Sequence, residues 1–313
     1  MLRALTGLPF ALTRFGPDSP SGRPFGLIRL VGALSIAAMC ATAAVPAAAA
    51  DGPTLERIRS TATITLAYRE GAAPFSFRDR EGRVRGYSVE LCMLVVASIQ
   101  KSLGLPSLRI DWKPVDAATR LFTIANGDAD IECGTTTITL SRMEKVDFSV
   151  PIFVDGGSVL VKRPSKIGKL ADLKGRKVAV IPATTTEQAL TRELAAAGVA
   201  ATVVPVKDGA EGIAALQAGS VDALAGDRIV LAGQRQRARN PDAFAFVADD
   251  FSFEPYALVI RRDDPDFRLA VNRALVGVYK SGDIDAVFQR WLAPLGRPGR
   301  LLHAMYYLQR LPE

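Results

Sequence analysis

The chain has 313 residues and a formal net charge of +7, and 49% of its residues are hydrophobic while 23% are charged. About 260 residues follow the first fifty, which is enough to form two lobes of moderate size around large cores. The basic residues are spread along the chain and are not interleaved with aromatic ones, which argues against nucleic acid as a partner.

The first fifty residues are typical of a secretory signal peptide. Arginines precede an apolar run from Leu27 to Val45, and a run of alanines then offers a small-residue cleavage site. A membrane anchor is the alternative, because the run reaches the roughly 17 residues that span a bilayer. Acylation of Cys40 is disfavoured, since Met39 stands where a lipoprotein needs a small residue. We therefore predict a signal peptide over residues 1–50.

The rest of the chain alternates strand and helix patterns, which predicts an α/β fold. Strand patterns cover residues 63–68, 108–112, 158–161, 177–181, 203–206, 244–247 and 256–260. Helical patterns follow Ser88, Arg120 and Thr184, and two more cover 267–279 and 284–292. Ser88 is the predicted N-cap of the first helix, and Thr184 with Glu187 matches a capping box. Free hydroxyls beside this capping box also offer an anion site.

Two arginines follow predicted strands. Arg69 comes just past the first strand, which places it near the edge of a cleft, although an exposed arginine is the alternative. Arg120 opens a predicted helix, where the macrodipole favours negative charge. We therefore expect some other anion to compensate Arg120.

The stretch 131–142 reads I-E-C-G-T-T-T-I-T-L-S-R and suits an anion. Backbone N–H groups beside Gly134, the hydroxyls of Thr135 and Thr137, and the five-donor guanidinium of Arg142 together complement a carboxylate. A solvated Ser/Thr loop with a surface arginine is the alternative when this stretch is read alone.

A second stretch repeats the layout around Thr135. The two copies run through Gly127, Asp130 and Thr135, and through Gly219, Asp222 and Asp227. In each copy the aspartate follows the glycine by three positions and the last polar residue follows it by eight. Because ligands bind outside the carboxyl ends of strands, Thr135 and Asp227 are expected on opposite walls of one cleft. One wall would then offer hydrogen-bond donors and the other a carboxylate. This arrangement suits an amino acid, which carries both a carboxylate and an ammonium group.

Two cysteines lie beyond residue 50. Cys92 and Cys133 form an even pair in a chain predicted to be exported, which favours a disulfide, with two buried thiols as the alternative. The single histidine, His303, lies in the tail, so no metal site and no cofactor are predicted. Without a histidine near the cleft, no catalytic residue is predicted either.

From about Ile64 to Leu292 the chain resembles the periplasmic amino-acid-binding proteins of bacterial ABC importers, and within them the glutamate/aspartate branch. The resemblance rests on Y-R-E-G-A-A-P-F-S-F, I-E-C-G-T-T-T, D-L-K-G-R-K-V-A-V, A-T-T-T-E and R-R-D-D-P, in the family's order. It implies the two-lobed α/β periplasmic-binding-protein fold, with two crossover strands and a ligand cleft between the lobes. Lobe 1 would comprise residues 51–157 and 257–313, and lobe 2 residues 158–256.

The resemblance also implies roles for individual residues. Thr135, Thr137 and Arg142 would hold the α-carboxylate together with Thr185, Asp227 would pair with the α-ammonium, Arg69 and Arg120 would take a side-chain carboxylate, and Cys92 would be bonded to Cys133. This chain departs from the branch at Ala117, where the branch has serine, and at Gly209, where it has histidine. Both departures remove polar contacts to the ligand side chain.

The implied function is capture of an amino acid in the periplasm by a monomer, and its delivery to a permease in the inner membrane. Counting Arg69, Arg120 and Arg142 against Asp227 leaves two positive charges, which favours glutamate or aspartate over a neutral ligand. The same lobes occur in dehydratase-type enzymes and in receptor sensor domains. The alternatives are therefore binding of another polar amino acid, or a dehydratase-type enzyme.

Overall fold

The computed structural model describes residues 52–248 and 250–312, and the statements below concern these residues. The predicted signal peptide lies outside them. No helix in these two ranges is both long enough and apolar enough to cross a membrane.

Strands and helices alternate along the chain, as the sequence predicts. The strands are β1 Thr63–Arg69, β2 Gly71–Ala72, β3 Ser76–Arg78, β4 Val84–Arg85, β5 Arg109–Val115, β6 Ile131–Thr137, β7 Asp147–Phe148, β8 Phe153–Asp155, β9 Gly157–Lys162, β10 Lys177–Val180, β11 Thr202–Pro205, β12 Ala223–Asp227, β13 Phe244–Phe246 and β14 Glu254–Ile260. The helices are α1 Pro53–Thr61, α2 Tyr87–Ser102, α3 Arg120–Ala125, α4 Leu140–Met143, α5 Thr185–Ala196, α6 Gly209–Ala218, α7 Arg228–Arg237, α8 Pro265–Ser281, α9 Asp283–Trp291 and α10 Arg300–Leu308.

The first lobe is built on a sheet that contains six of the described strands. Its order is β5-β1-β6-β14-β7, and β8 pairs with β14 at the side. Strands β1, β5 and β6 are parallel, whereas β14 runs antiparallel to β6, β7 and β8. Both faces are buried, so alternate residues of each strand enter different apolar clusters. One cluster includes Leu66, Leu91, Val95, Leu258, Ile260 and Leu275, and the other includes Ala67, Ile124, Val146 and Val259.

The second lobe is built on a sheet of five described strands in the order β11-β10-β12-β9-β13. Strand β10 is parallel to β11 and β12, and β9 is antiparallel to β12 and β13. Val159 and Val161 of β9 pack on one face while Leu160 packs on the other. The chain enters this sheet between β8 and β9 and returns to the first sheet between β13 and β14. The residue bounds predicted for the two lobes stay a prediction.

The repeated layout around Thr135 and Asp227 has the same geometry in both sheets. Gly127 and Gly219 follow the ends of α3 and α6 with φ of 77° and 76°, values that favour glycine. Asp130 accepts a hydrogen bond from the Thr65 N–H, and Asp222 accepts one from the Lys177 N–H, each at 2.8 Å. In each half, therefore, the aspartate bonds to the backbone of the neighbouring parallel strand.

The disulfide between Cys92 and Cys133 is present and joins α2 to β6, which confirms the pairing. The predicted N-cap at Ser88 is wrong. Helix α2 begins at Tyr87 after Gly86, and the Ser88 hydroxyl donates instead to the carbonyl of Gly134 at 2.7 Å. Helix α10 in the tail has no counterpart in the sequence prediction. It packs on the first lobe, where its Tyr306 hydroxyl lies 2.8 Å from that of Tyr87.

Thr184 is the N-cap of α5, as predicted, and its hydroxyl accepts a hydrogen bond from the Glu187 N–H at 3.1 Å. The Glu187 carboxylate accepts from the N–H of Ala183 and not from that of Thr184. This cap fixes the start of α5 and therefore the position of Thr185, its first residue.

Candidate ligand-binding site

Arg69 and Thr135 meet where two parallel strands of the first sheet end. The Nη1 atom of Arg69 donates to Thr135 Oγ1 at 3.1 Å. Gly134 makes room for this arginine, because an added Cβ there would lie 3.3 Å from Arg69 Cδ and 2.0 Å from Glu132 Oε1. The Thr135 hydroxyl keeps its own proton, which is available to an anion.

Arg69, Thr135 and Asp227 line one cavity between the two lobes. The cavity has a volume of about 50 Å³, and Thr186 and Gln234 also line it. A wider cleft of about 560 Å³ adjoins it and shares Arg69. The enclosed cavity is smaller than the side chain and backbone of an amino acid require. Entry of an amino acid therefore requires the lobes to move or the wider cleft to contribute space.

Asp227 is the last residue of β12 and is bonded from two directions. Its carboxylate accepts hydrogen bonds from the hydroxyl of Thr186 in the second lobe and from that of Tyr256 on β14. Burial raises the pKa of Asp227, and the negative charge of Glu254 raises it further, while the two hydrogen bonds act in the opposite direction. A cation beside Asp227 would relieve this electrostatic cost.

Arg120 is the first residue of α3, and its side chain is only 2% exposed. Its Nε and Nη1 atoms have no hydrogen-bond partner among the described residues. Burial lowers the pKa of Arg120 to about 9, and the positive charge of Arg69 lowers it as well, whereas Glu132 opposes the shift. The anion expected beside Arg120 is not supplied by a hydrogen-bonded carboxylate of the described chain. These two donors are thus available to a ligand acceptor.

Arg142, Thr137 and Thr185 lie together at a second part of the site. Arg142 Nη1 donates to the carbonyl of Thr137 at 2.7 Å. The hydroxyls of Thr137 and Thr185 are 3.1 Å apart, and each lies 2.6 Å from Glu254 Oε2. Burial lowers the pKa of Arg142, and Glu254 is the strongest of the charges that oppose this shift.

Arg69, Thr135 and Asp227 thus share one cavity, Thr137 contacts both Arg142 and Thr185, and Arg120 lies within the electrostatic influence of Arg69, Arg142 and Asp227. That these seven residues bind the ligand stays a prediction. The charge count made from the sequence is wrong, because Glu132 and Glu254 are also buried there. The three arginines face three carboxylates within the described residues, namely Asp227, Glu132 and Glu254. One oxygen of Glu132 accepts from Thr136 at 2.7 Å and the other, Oε1, has no partner in the described part of the chain.

Two positions depart from the glutamate/aspartate pattern. Ala117 lines the wider cleft, and Gly209 lines the smaller cavity beside Asp227. A Cβ added at Gly209 would lie 2.8 Å from the Gln234 side chain, so Gln234 fills the space beside this glycine. Gln234 Nε2 donates to the carbonyl of Gly71 at 3.0 Å and links the lobes. Gln234 could not be recognised from the sequence, because nothing in the helix pattern of α7 distinguishes it from a surface glutamine.

In the described ranges, no cluster of three or more His, Cys, Asp or Glu could hold a metal ion. Two α/β lobes, two connections between them and a cleft lined by arginines, hydroxyls and a carboxylate define a solute-binding protein. Residues 64–294 match the bacterial extracellular solute-binding proteins, family 3. The chain belongs to this family.

Several characterised relatives bind acidic amino acids. The L-glutamate/L-aspartate-binding protein of Pseudomonas aeruginosa is 35% identical over 82% of this chain and 86% of its own length. The glutamate/aspartate import solute-binding protein of Escherichia coli is 32% identical over 78% of this chain and 81% of its own length.

Solved structures show the same fold. An ancestral arginine-binding protein bound to glutamine is 29% identical, with a TM-score of 0.65 over 74% of this chain and 98% of that structure. An ancestral amino-acid-binding protein, described as a precursor of cyclohexadienyl dehydratase, is 30% identical, with a TM-score of 0.67 over 76% and 99%.

Proposed function

We propose that this protein is the solute-binding component of an ABC importer, which captures glutamate or aspartate in the periplasm and delivers it to an inner-membrane permease. The main support for an acidic ligand is Arg120, whose buried guanidinium lies near Arg69 and has two nitrogen atoms without a hydrogen-bond partner in the described chain. The names of the characterised relatives support the same class of ligand.

The proposed ligand contacts follow from the free groups of the site. Arg142 and Thr135 hold the α-carboxylate, because Thr135 retains a proton and Arg142 carries a partly buried charge. Asp227 pairs with the α-ammonium, which offsets both the burial of this carboxylate and its repulsion by Glu254, the two causes that raise the pKa of Asp227. Arg69 and Arg120 receive the side-chain carboxylate. Thr137 and Thr185 belong to the same site, and their role depends on Glu254.

The preference for an acid comes from a difference in hydrogen bonding between two buried charged groups, Glu254 and Arg120. Glu254 accepts hydrogen bonds from three hydroxyls, those of Thr137, Thr185 and Ser252, so its charge is already compensated. The Nε and Nη1 atoms of Arg120, by contrast, have no hydrogen-bond partner among the described residues. A neutral amino acid would leave this guanidinium partly unpaired in a closed site, which costs about 1–3 kcal/mol for each buried unsatisfied group. A second carboxylate supplies the missing acceptors.

Calorimetric titration of residues 51–313 with glutamate, aspartate, glutamine and asparagine tests the ligand class. We expect the acids to bind at least about tenfold more tightly than the amides, because the discriminating group is a full charge. Equal or tighter binding of the amides would refute an acidic ligand. Tighter binding of any other amino acid would do the same.

Ligand capture should also close the two lobes around the amino acid. Small-angle scattering at saturating glutamate should give a smaller radius of gyration than without it, since contacts on both walls stabilise the closed arrangement. We further propose that the protein is a monomer and that it does not turn its ligand over. Light scattering and quantitative recovery of unchanged glutamate after prolonged incubation test these two points.

A further inference from the structure

Glu254 connects the two lobes through one oxygen atom. It is the first residue of β14, and its side chain is 1% exposed. Its Oε2 atom accepts hydrogen bonds from Thr137 on β6 of the first lobe and from Thr185 on α5 of the second. A single carboxylate oxygen therefore holds one hydroxyl from each wall of the cleft.

The other oxygen of Glu254 is anchored at the connections between the lobes. Oε1 accepts from the Ser252 hydroxyl at 2.6 Å, and Ser252 Oγ accepts from the Gly157 N–H at 3.0 Å. A Cβ added at Gly157 would lie 2.5 Å from Ser252 Oγ, so this approach requires glycine. Through Ser252, the carboxylate is hydrogen-bonded to both connections, in addition to its bonds to one hydroxyl from each lobe.

Proton counting sets the direction of the hydrogen bonds. Thr137, Thr185 and Glu254 contribute three oxygen atoms in mutual contact, but the two hydroxyls carry only two protons and an ionised carboxylate carries none. Distances of 2.6 Å are typical of hydroxyl–carboxylate bonds, so both protons point at Glu254. The hydroxyls retain lone pairs and no proton for a third partner.

We propose that Glu254 is a positioning residue that stabilises lobe closure and turns Thr137 and Thr185 into acceptors. These hydroxyls then serve N–H donors of the ligand and do not donate to its carboxylate, which is held by Arg142 and Thr135. The acceptor role rests on the proposed function, because it takes from there an amino-acid ligand whose carboxylate is held by Arg142 and Thr135. The role in closure depends on contacts within the chain itself.

The closure role is tested without ligand by the substitution Glu254→Gln, which keeps the size of the side chain and removes its charge. Spin labels at Lys101→Cys on α2 and Ala196→Cys on α5 report the distance between the lobes, since both positions are exposed. We expect a longer mean distance and a broader distribution in the Gln variant. The control Glu144→Gln, an exposed acid near Arg142, should leave both unchanged. An unchanged distribution in Glu254→Gln would overturn the closure role.

The acceptor role is tested by a double-mutant cycle with glutamate as the probe. If Thr185 acts through Glu254, then Thr185→Val and Glu254→Gln each weaken glutamate binding about tenfold. The double variant should then bind glutamate as tightly as the single variant with the lower affinity. If Thr185 donates to the ligand directly, the two losses multiply, which would overturn the inference. Thr191→Val on the same helix is the matched control and should leave glutamate affinity unchanged. Thr185→Ser keeps the hydroxyl and should bind glutamate about as tightly as the wild type. Absence of glutamate binding to the wild type would reject the proposed function, while the distance measurement still decides the closure role.

Discussion

The hydroxyl of Tyr256 donates a hydrogen bond to the carboxylate of Asp227, which joins the strand that returns to the first lobe to the acidic end of β12. Tyr256 also lies 3.4 Å from Asp155 Oδ2, at the other connection between the lobes. One hydroxyl thus contacts the carboxylates of both Asp227 and Asp155. Tyr256 therefore links the end of β12 to both connections between the lobes.

Asp227→Asn should weaken glutamate binding by at least a hundredfold. It leaves the ligand ammonium without its ion partner, an error that costs about 3–5 kcal/mol for a buried pair. Without ligand the variant should be at least as stable as the wild type, because the substitution removes repulsion between Asp227 and Glu254. Calorimetry and thermal unfolding measure the two effects.

Asp222→Asn is the matched control for Asp227→Asn, since Asp222 precedes β12 whereas Asp227 is its last residue, and it should leave glutamate affinity unchanged. Tyr256→Phe should give an intermediate loss of affinity, because Asp227 keeps its bond from Thr186. A loss of only a few-fold in Asp227→Asn would show that another group holds the ammonium.

Asp155 should make the free energy of unfolding depend on pH. Burial raises the pKa of Asp155 to about 8, the charge of Asp227 adds to this effect, and the N–H groups of Ile229 and Gly156 oppose it. The unfolded chain releases this proton near pH 4, so between pH 4 and 8 the folded state binds more protons and stability falls as pH rises.

Thermal unfolding at pH 5, 6.5 and 8 tests the pH prediction. The wild type should lose on the order of 3 kcal/mol more than Asp155→Asn over this interval. The asparagine keeps an acceptor for the Ile229 N–H. Asp147→Asn, at a carboxylate that pairs with Arg268, should retain the slope of the wild type. Parallel curves for wild type and Asp155→Asn would contradict the prediction.

Much of the candidate site could be predicted because its residues stand at strand ends or helix starts with glycine nearby. Arg69 and Asp227 are the last residues of β1 and β12, and Thr135 follows Gly134 two residues before the end of β6. The repeated Gly-to-Asp spacing reflects one backbone geometry that is present in both sheets. The alternation of strand and helix patterns likewise predicted the α/β class.

The role of Glu254 could not be predicted, because Thr137 and Thr185, its hydroxyl partners on the two walls of the cleft, are 117 and 69 residues away along the chain. In sequence Glu254 resembles an exposed loop acid before a strand. Glu132 was more accessible to prediction, since an acid between Ile131 and Cys133 in a buried strand requires compensation. The charge count from the sequence was in error because it included neither Glu132 nor Glu254.

Loss of the disulfide between Cys92 and Cys133 should destabilise the protein by about 4 kcal/mol. The bond closes a loop with a sequence separation of 41 residues, and this figure follows from the chain-entropy model. Urea unfolding with and without reductant measures the difference. A Cys92→Ala/Cys133→Ala variant is the control and should not respond to reductant. Free thiols in denatured, unreduced protein from an oxidising compartment would contradict the pairing.

Arg120→Met should have opposite effects on stability and on binding. The substitution removes a buried guanidinium with two unpaired nitrogen atoms, so we expect the ligand-free protein to gain about 1–3 kcal/mol of stability. The same change removes two donors to the side-chain carboxylate, so glutamate binding should weaken at least about tenfold and glutamine binding much less. The ratio of the two affinities, measured by calorimetry, should therefore approach one. Arg109→Met, at an exposed arginine paired with Asp111 in the same lobe, should change neither quantity. A less stable Arg120→Met protein with an unchanged affinity ratio would assign Arg120 a structural role and leave the preference for acids to Arg69.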